Sequence, residues 1–107
     1  MSAANNILKV ESDIAKVLKN IYDPEIPVNI YDLGLIYEID VAEDGKTTIE
    51  MTLTAPNCPV ADDLLAEVKE KVETIEGVKK VNVKLVFDPP WDKSMMTEEA
   101  MLELGLL

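Results

Sequence analysis

The sequence has no histidine, no arginine and a single cysteine, Cys58. Without histidine it lacks the Ser/His/Asp and Cys/His arrangements of nucleophilic enzymes, and it has no His-ligated zinc site. One cysteine excludes an internal disulfide and is typical of a reducing cytoplasm. The four glycines form no phosphate-binding loop. We therefore do not expect this protein to be an enzyme.

Positive charge is also scarce, because ten lysines stand against 21 acidic residues and give a formal net charge of −11. Phosphate binding usually needs clustered lysine and arginine, so nucleic acid and anionic membranes are not expected partners. No apolar run approaches the roughly 20 residues of a membrane span, and residues 1–10 do not resemble a secretory signal. We expect a soluble, cytoplasmic protein.

The 107 residues, 48% of them hydrophobic, suit one domain over residues 1–107 that folds without metal. Apolar spacing and turn residues predict a helix over about 5–20, strands over 34–41, 48–53 and 81–87, a helix from Pro59 to Gly77, and a short helix capped by Thr97. The first two strands form a hairpin, and the second helix is a crossover that leaves the third strand parallel to the second. The pattern predicts an α+β two-layer fold, with a small three-stranded sheet and the helices on one face.

Cys58 lies where the second strand gives way to the second helix. Asn57 and Pro59 flank it, which is more typical of a loop than of a core cysteine. A position at or next to the helix N-cap favours the thiolate, whereas Asp62 and Asp63 oppose it, and the sequence leaves this balance open. The alternative is a buried cysteine that acts as a small hydrophobe.

The chain between the first helix and the first strand, residues 22–34, contains two prolines and many apolar residues, which predicts an ordered loop. It presents Asp23, Glu25 and Asp32. These carboxylates either belong to a site or cap the N–H groups of local turns.

The third strand ends at Asp-Pro-Pro-Trp-Asp, residues 88–92, with the only tryptophan, Trp91. The predicted topology brings this segment, the Cys58 loop and the first loop to one end of the sheet. We therefore expect Trp91, Cys58 and Asp23 to form one site, unless Trp91 only covers the core.

Three motifs occur in order along the chain: Asp23-Pro-Glu-Ile-Pro-Val with Tyr31-Asp-Leu-Gly-Leu-Ile, then Thr52-Leu-Thr-Ala-Pro-Asn-Cys-Pro, then Asp88-Pro-Pro-Trp-Asp with Met96-Thr-Glu-Glu-Ala. Together they resemble the SufT/PaaD family of metal–sulfur cluster assembly proteins. The resemblance implies an α-β-β-α-β core related to the C-terminal domain of NifU-type scaffolds.

The resemblance also implies the roles of individual residues. Cys58 matches the reactive cysteine of the family, and Asp23 and Glu25 match its acidic pair. Thr54 matches the polar residue ahead of the cysteine, and Trp91 matches the aromatic residue of the last motif.

The implied function is iron–sulfur cluster assembly or maturation, in which the chain assists cluster transfer from scaffold or carrier proteins to recipient apoproteins. A cluster generally takes four thiolates, and one chain offers one. Two copies could therefore share a cluster as a homodimer, Cys58 could join a partner's cluster as a transient metal ligand, or Cys58 could serve contact or redox chemistry without metal. The second option is favoured, because transfer requires an exchangeable coordination shell. The alternative function is a protein–protein adaptor, or a PaaD-like accessory subunit for a multicomponent oxygenase, without direct metal binding.

Overall fold

The computed structural model describes residues 3–23, 26–54 and 61–106. Its elements in chain order are α1 (Ala3–Leu18), β1 (Ile36–Val41), β2 (Lys46–Met51), α2 (Ala61–Glu73), β3 (Lys80–Leu85), a 3-10 turn (Lys93–Met95) and α3 (Glu98–Glu103). This order is the predicted one, and it confirms the α+β fold class.

The three strands form one mixed sheet in the order β1-β2-β3. β1 and β2 are antiparallel, and β3 is parallel to β2. The hairpin between β1 and β2 closes where the Gly45 N–H donates to the Ala42 carbonyl oxygen at 3.0 Å. Because α2 carries the chain back along the sheet, β2 and β3 finish at the same end, and β1 begins there.

The core lies between one face of the sheet and the two long helices. Apolar residues spaced three or four apart give α1 and α2 one buried stripe each. Fully or nearly buried members of these stripes and of the central strand are Val10, Ile14, Leu18, Leu64, Val68, Val72, Ile49 and Met51. Burial of each such side chain contributes roughly 1.5–3 kcal/mol. No helix in the described ranges is long and apolar enough to span a membrane.

Three details of the strands differ from the prediction. β2 ends at Met51 rather than at residue 53, because its pairing with β1 stops at the Ile36–Met51 pair. The buried face predicted to continue to Phe87 stops with β3 at Leu85, which pairs with Met51. Phe87 lies past the last sheet neighbour and is 45% exposed.

The third difference is an irregularity in β1. The pairing register shifts between Ile36 and Glu38, so the predicted alternation of inward and outward residues is interrupted. A bulge leaves one residue without a partner and re-aims its side chain. Here that residue is Tyr37, whose hydroxyl reaches the chain after β3.

Candidate functional site

The candidate site lies at the end of the sheet where β2 and β3 finish. The Thr52 N–H donates to the Leu35 carbonyl oxygen and the Val86 N–H to the Met51 carbonyl oxygen, both at 2.8 Å. Two chain segments meet there: the first loop (residues 22–34) and the C-terminal segment (residues 86–106). The chain that leads from β2 toward Cys58 departs from the same end.

The first loop is closed by its own backbone. The Ile30 N–H donates to the Ile21 carbonyl oxygen at 2.8 Å, and Tyr22 and Asn29 form an isolated antiparallel bridge. Asp23 is 7% exposed, and its Oδ2 accepts from the Ile26 N–H at 2.8 Å. This carboxylate therefore does what a capping aspartate does, since it satisfies a turn N–H of the loop.

Asp32 and Asn29 form a second closed unit in the same loop. Asp32 is 8% exposed, its Oδ2 accepts from Asn29 Nδ2, and its backbone N–H donates to Asn29 Oδ1, each at 2.8 Å. A buried carboxylate needs such donors, because its desolvation is otherwise unfavourable. In these contacts Asn29 caps the Asp32 N–H, and the Asp32 carboxylate accepts from the Asn29 side-chain amide rather than from a backbone N–H.

The C-terminal segment clasps the first loop through long-range hydrogen bonds. Trp91 Nε1 donates to the Leu33 carbonyl oxygen at 2.7 Å, and the Thr97 N–H donates to the Asp32 carbonyl oxygen at 2.9 Å. Gly34 has a φ of 85°, and any Cβ at this position would collide with the Met95 backbone. The two segments thus approach more closely than side chains would allow, and together they form one structural unit that we call the clasp.

The side chain of Tyr37 links β1 to the clasp through a hydrogen bond. Its hydroxyl donates to the Pro89 carbonyl oxygen at 2.7 Å and lies 3.7 Å from Met95 Sδ. Tyr37 lies within the strand predicted over 34–41, but a period-2 pattern does not reveal a bulge. No local signal in the sequence marks this contact, which joins residues 52 positions apart.

Two threonines follow β2 toward Cys58. Thr54, a predicted supporting residue, is half-buried. Thr52 is fully buried, and its hydroxyl has no hydrogen-bond partner in the described part of the chain. Sequence reasoning did not single out Thr52. A lone buried hydroxyl leaves no mark on a hydrophobic pattern, because threonine is also a favoured strand residue.

The C-terminal segment also carries a carboxylate with a shifted pKa. The pKa of Asp92 is lowered, first by the hydrogen bond from the Ser94 hydroxyl and then by the Ser94 backbone N–H. Asp92 is the N-cap of the 3-10 turn Lys93–Met95. Its charge thus stabilises the turn that leads the chain from Trp91 to α3.

The remaining predicted site residues, Glu25, Asn57 and Cys58, lie outside the described residues. Asp23 and Trp91 occupy the two segments that form the clasp. Within residues 3–23, 26–54 and 61–106, no three His, Cys, Asp or Glu side chains group as a metal site. The described residues therefore provide no resident metal centre, and an iron–sulfur cluster is considered below as cargo.

The mixed three-stranded sheet with its two long helices on one face defines a small two-layer α+β domain. The model of a family described as iron–sulfur cluster assembly proteins matches residues 11–85. The chain belongs to this family, which confirms the resemblance found in its motifs.

The chain is similar to known proteins over most of its length. A protein named Fe-S protein maturation auxiliary factor, from Porphyromonas gingivalis, is 59% identical over 96% of this chain and 98% of its own length. The Fe-S protein maturation auxiliary factor SufT of Staphylococcus aureus is 36% identical over 80% of this chain and 98% of its own. A crystal structure of a domain of unknown function from Bacillus anthracis superposes with a TM-score of 0.89 and 32% identity, and covers 97% of this chain and 99% of that one.

Proposed function

We propose that this protein is a cytoplasmic maturation factor that assists the transfer of iron–sulfur clusters to recipient apoproteins, with Cys58 as a transient ligand or reactive thiol. The observation that carries the proposal is the family match over residues 11–85, which includes Cys58 and both strands that lead to the candidate site. Relatives of similar length named as maturation auxiliary factors support the same role.

The single cysteine limits how a cluster could be held. A cluster generally takes four thiolates, so three must come from elsewhere. In the proposed step, the Cys58 thiol loses its proton and the thiolate replaces one thiolate ligand of a donor's cluster. The displaced thiolate takes up a proton, and no electron is transferred. A shell completed by another protein is exchangeable, which is what transfer needs.

The first test is cluster transfer from a preformed scaffold-bound cluster to a recipient apoprotein, followed by the recipient's visible absorption. We expect the wild-type chain to accelerate transfer and Cys58→Ser to lose that acceleration. Serine keeps the shape of the side chain but removes the soft sulfur ligand.

The matched measurement is binding of the same variant to donor and recipient. Cys58→Ser should bind both proteins as the wild type does. Full transfer activity in Cys58→Ser would contradict the thiol role and favour an adaptor that never contacts metal. Loss of both binding and transfer would indicate that Cys58 serves contact alone.

A further inference from the structure

Exposed apolar side chains are concentrated in the clasp. The large hydrophobic side chains that remain exposed among the described residues are Leu8, Tyr22, Phe87, Leu102 and Leu106. Four of them belong to the first loop or the C-terminal segment, and only Leu8 lies elsewhere. Single exposed apolar residues are ordinary, whereas exposed apolar residues close to one another indicate an interaction surface.

Two of these side chains lie at the C-terminal end of α3. Leu102 is 63% exposed in its last turn, and Leu106, which is 51% exposed, follows the end of the helix by three residues. The inner face of α3 is anchored by Ala100, which is 1% exposed, and by the half-buried Met101 and Leu104. One side of the helix therefore contacts the core, and Leu102 lies exposed outside it.

Both exposed leucines are held by hydrogen-bonded backbone. The Leu106 N–H donates to the Met101 carbonyl oxygen at 2.8 Å, and the Gly105 N–H to the Leu102 carbonyl oxygen at 3.1 Å. This is the pattern of a Schellman motif, with Gly105 at a φ of 72°. Leu106 is thus fixed beside the helix end, and a partner would meet a preformed surface.

Negative charge surrounds these two leucines. Glu98, Glu99 and Glu103 are exposed on α3. Glu98 and Glu99 precede Leu102 by four and three residues, so helical spacing places them beside it. Glu103 lies between Leu102 and Leu106 in the sequence. The C-terminal segment adds Asp88 and Asp92 against a single lysine. A second copy of this chain would bring the same acidic ring and a further net charge of −11, so repulsion opposes self-association here.

We propose that the surface formed by Leu102, exposed on α3, and Leu106, just past the end of this helix, docks a partner protein that presents an apolar site ringed by lysine or arginine. In combination with the proposed function, that partner is a donor or recipient of the cluster. The Thr97 N–H, at the start of α3, is bonded to the Asp32 carbonyl oxygen of the first loop. A protein docked on α3 therefore lies beside the sheet end from which the chain leads to Cys58.

The test uses the intact chain and a defined probe of this chemistry. The probe is a synthetic, tryptophan-free peptide with leucine and lysine at helical spacing, labelled for fluorescence anisotropy. Leu102→Ser should weaken binding about tenfold or more, because it removes one buried leucine from the complex. The matched control is Leu8→Ser, since Leu8 is 65% exposed on α1 and should leave affinity unchanged.

The charge of the surface is tested separately. Glu103→Lys should weaken peptide binding more than Glu70→Lys, which makes the same charge change on α2. Lysine in the last turn of α3 is favourable for the helix dipole, so lost binding would not reflect a lost helix. A peptide with glutamate in place of lysine should not bind.

The proposal would be overturned if Leu8→Ser and Leu102→Ser changed peptide affinity equally, or if Glu70→Lys and Glu103→Lys did. The peptide would then be bound only by the overall charge. A dimer in sedimentation experiments that Leu102→Ser abolishes would also overturn it, because the occupant would be a second copy. Cys58→Ser should bind the peptide as the wild type does. Peptide binding therefore tests docking even if the thiol role of Cys58 fails in the transfer assay.

Discussion

At the scale of single residues, the clearest electrostatic conflict lies on the polar face of the sheet. Glu38 of β1 is paired directly with Glu50 of β2. The pKa of Glu38 is raised, first by a hydrogen bond with Glu50 and then by the charge of Glu50, while Lys84 lowers it. Like charges directly opposite each other destabilise a sheet.

This pair gives a prediction about pH. A raised pKa means that the folded state binds the Glu38 proton more tightly than the unfolded state does. The stability that Glu38 contributes to the free energy of unfolding is therefore present at low pH and is lost as the pH rises through the folded-state pKa of Glu38. Glu38→Gln should raise the denaturation midpoint at about pH 7, and this gain should shrink toward about pH 3, as the wild-type Glu38 becomes protonated.

The matched control is Glu70→Gln on the exposed face of α2, which should show neither the gain nor its pH dependence. Denaturant titrations of both variants across this pH range measure the effect. A gain at Glu38 that does not change with pH would show that the repulsion is not its source.

At the scale of elements, local patterns predicted the helices and strands, and failed where distant segments meet. The apolar stripes of α1 and α2 are visible in the sequence because their period is set by the helix itself. The bond from Trp91 Nε1 to Leu33 joins residues 58 positions apart, so no local period reports it. The role of Asp32 could not be predicted for a different reason, because its partner Asn29 is only three residues away but their hydrogen bonds form only once the loop has folded.

The clasp gives the second prediction. Trp91→Phe keeps an aromatic ring but removes the N–H that donates to the Leu33 carbonyl oxygen. We expect a loss of about 1 kcal/mol in the free energy of unfolding, or somewhat more, because a partly buried carbonyl loses its donor. Equilibrium denaturation in guanidinium measures the change.

Tyr22→Phe is the control for this experiment, because Tyr22 is 57% exposed and its ring can lose a hydroxyl at little cost. Tyr37→Phe should cost less than Trp91→Phe, because the Pro89 carbonyl oxygen that loses its donor is exposed and can bond to water. If Trp91→Phe were as stable as the wild type, the clasp would not contribute to the stability of the fold.

At the scale of the whole molecule, the size of the core predicts folding without a metal ion. Among the described residues, eighteen hydrophobic side chains are buried in one cluster that α1, α2, the sheet and both clasped segments share. We therefore expect the thermal midpoint of the purified chain to be the same with and without a strong chelator. A midpoint that falls on chelation, and returns when metal is added back, would show that a metal is structural.

The last prediction is that the only cysteine, Cys58, lies close to the only tryptophan, Trp91. β2 and β3 finish at the same end of the sheet, so the chain leading to Cys58 and the segment that carries Trp91 start side by side. Trp91 is held toward the first loop by its bond to Leu33, and Cys58 follows the described Thr54 by four residues in the sequence.

We expect a small quencher attached to Cys58 to reduce Trp91 emission strongly in the folded chain and to lose most of that effect in denaturant. Cys58→Ser treated with the same reagent controls for quencher that is not attached. Unchanged emission in the folded, fully labelled chain would separate Cys58 from Trp91, and the three motifs would then not form one site.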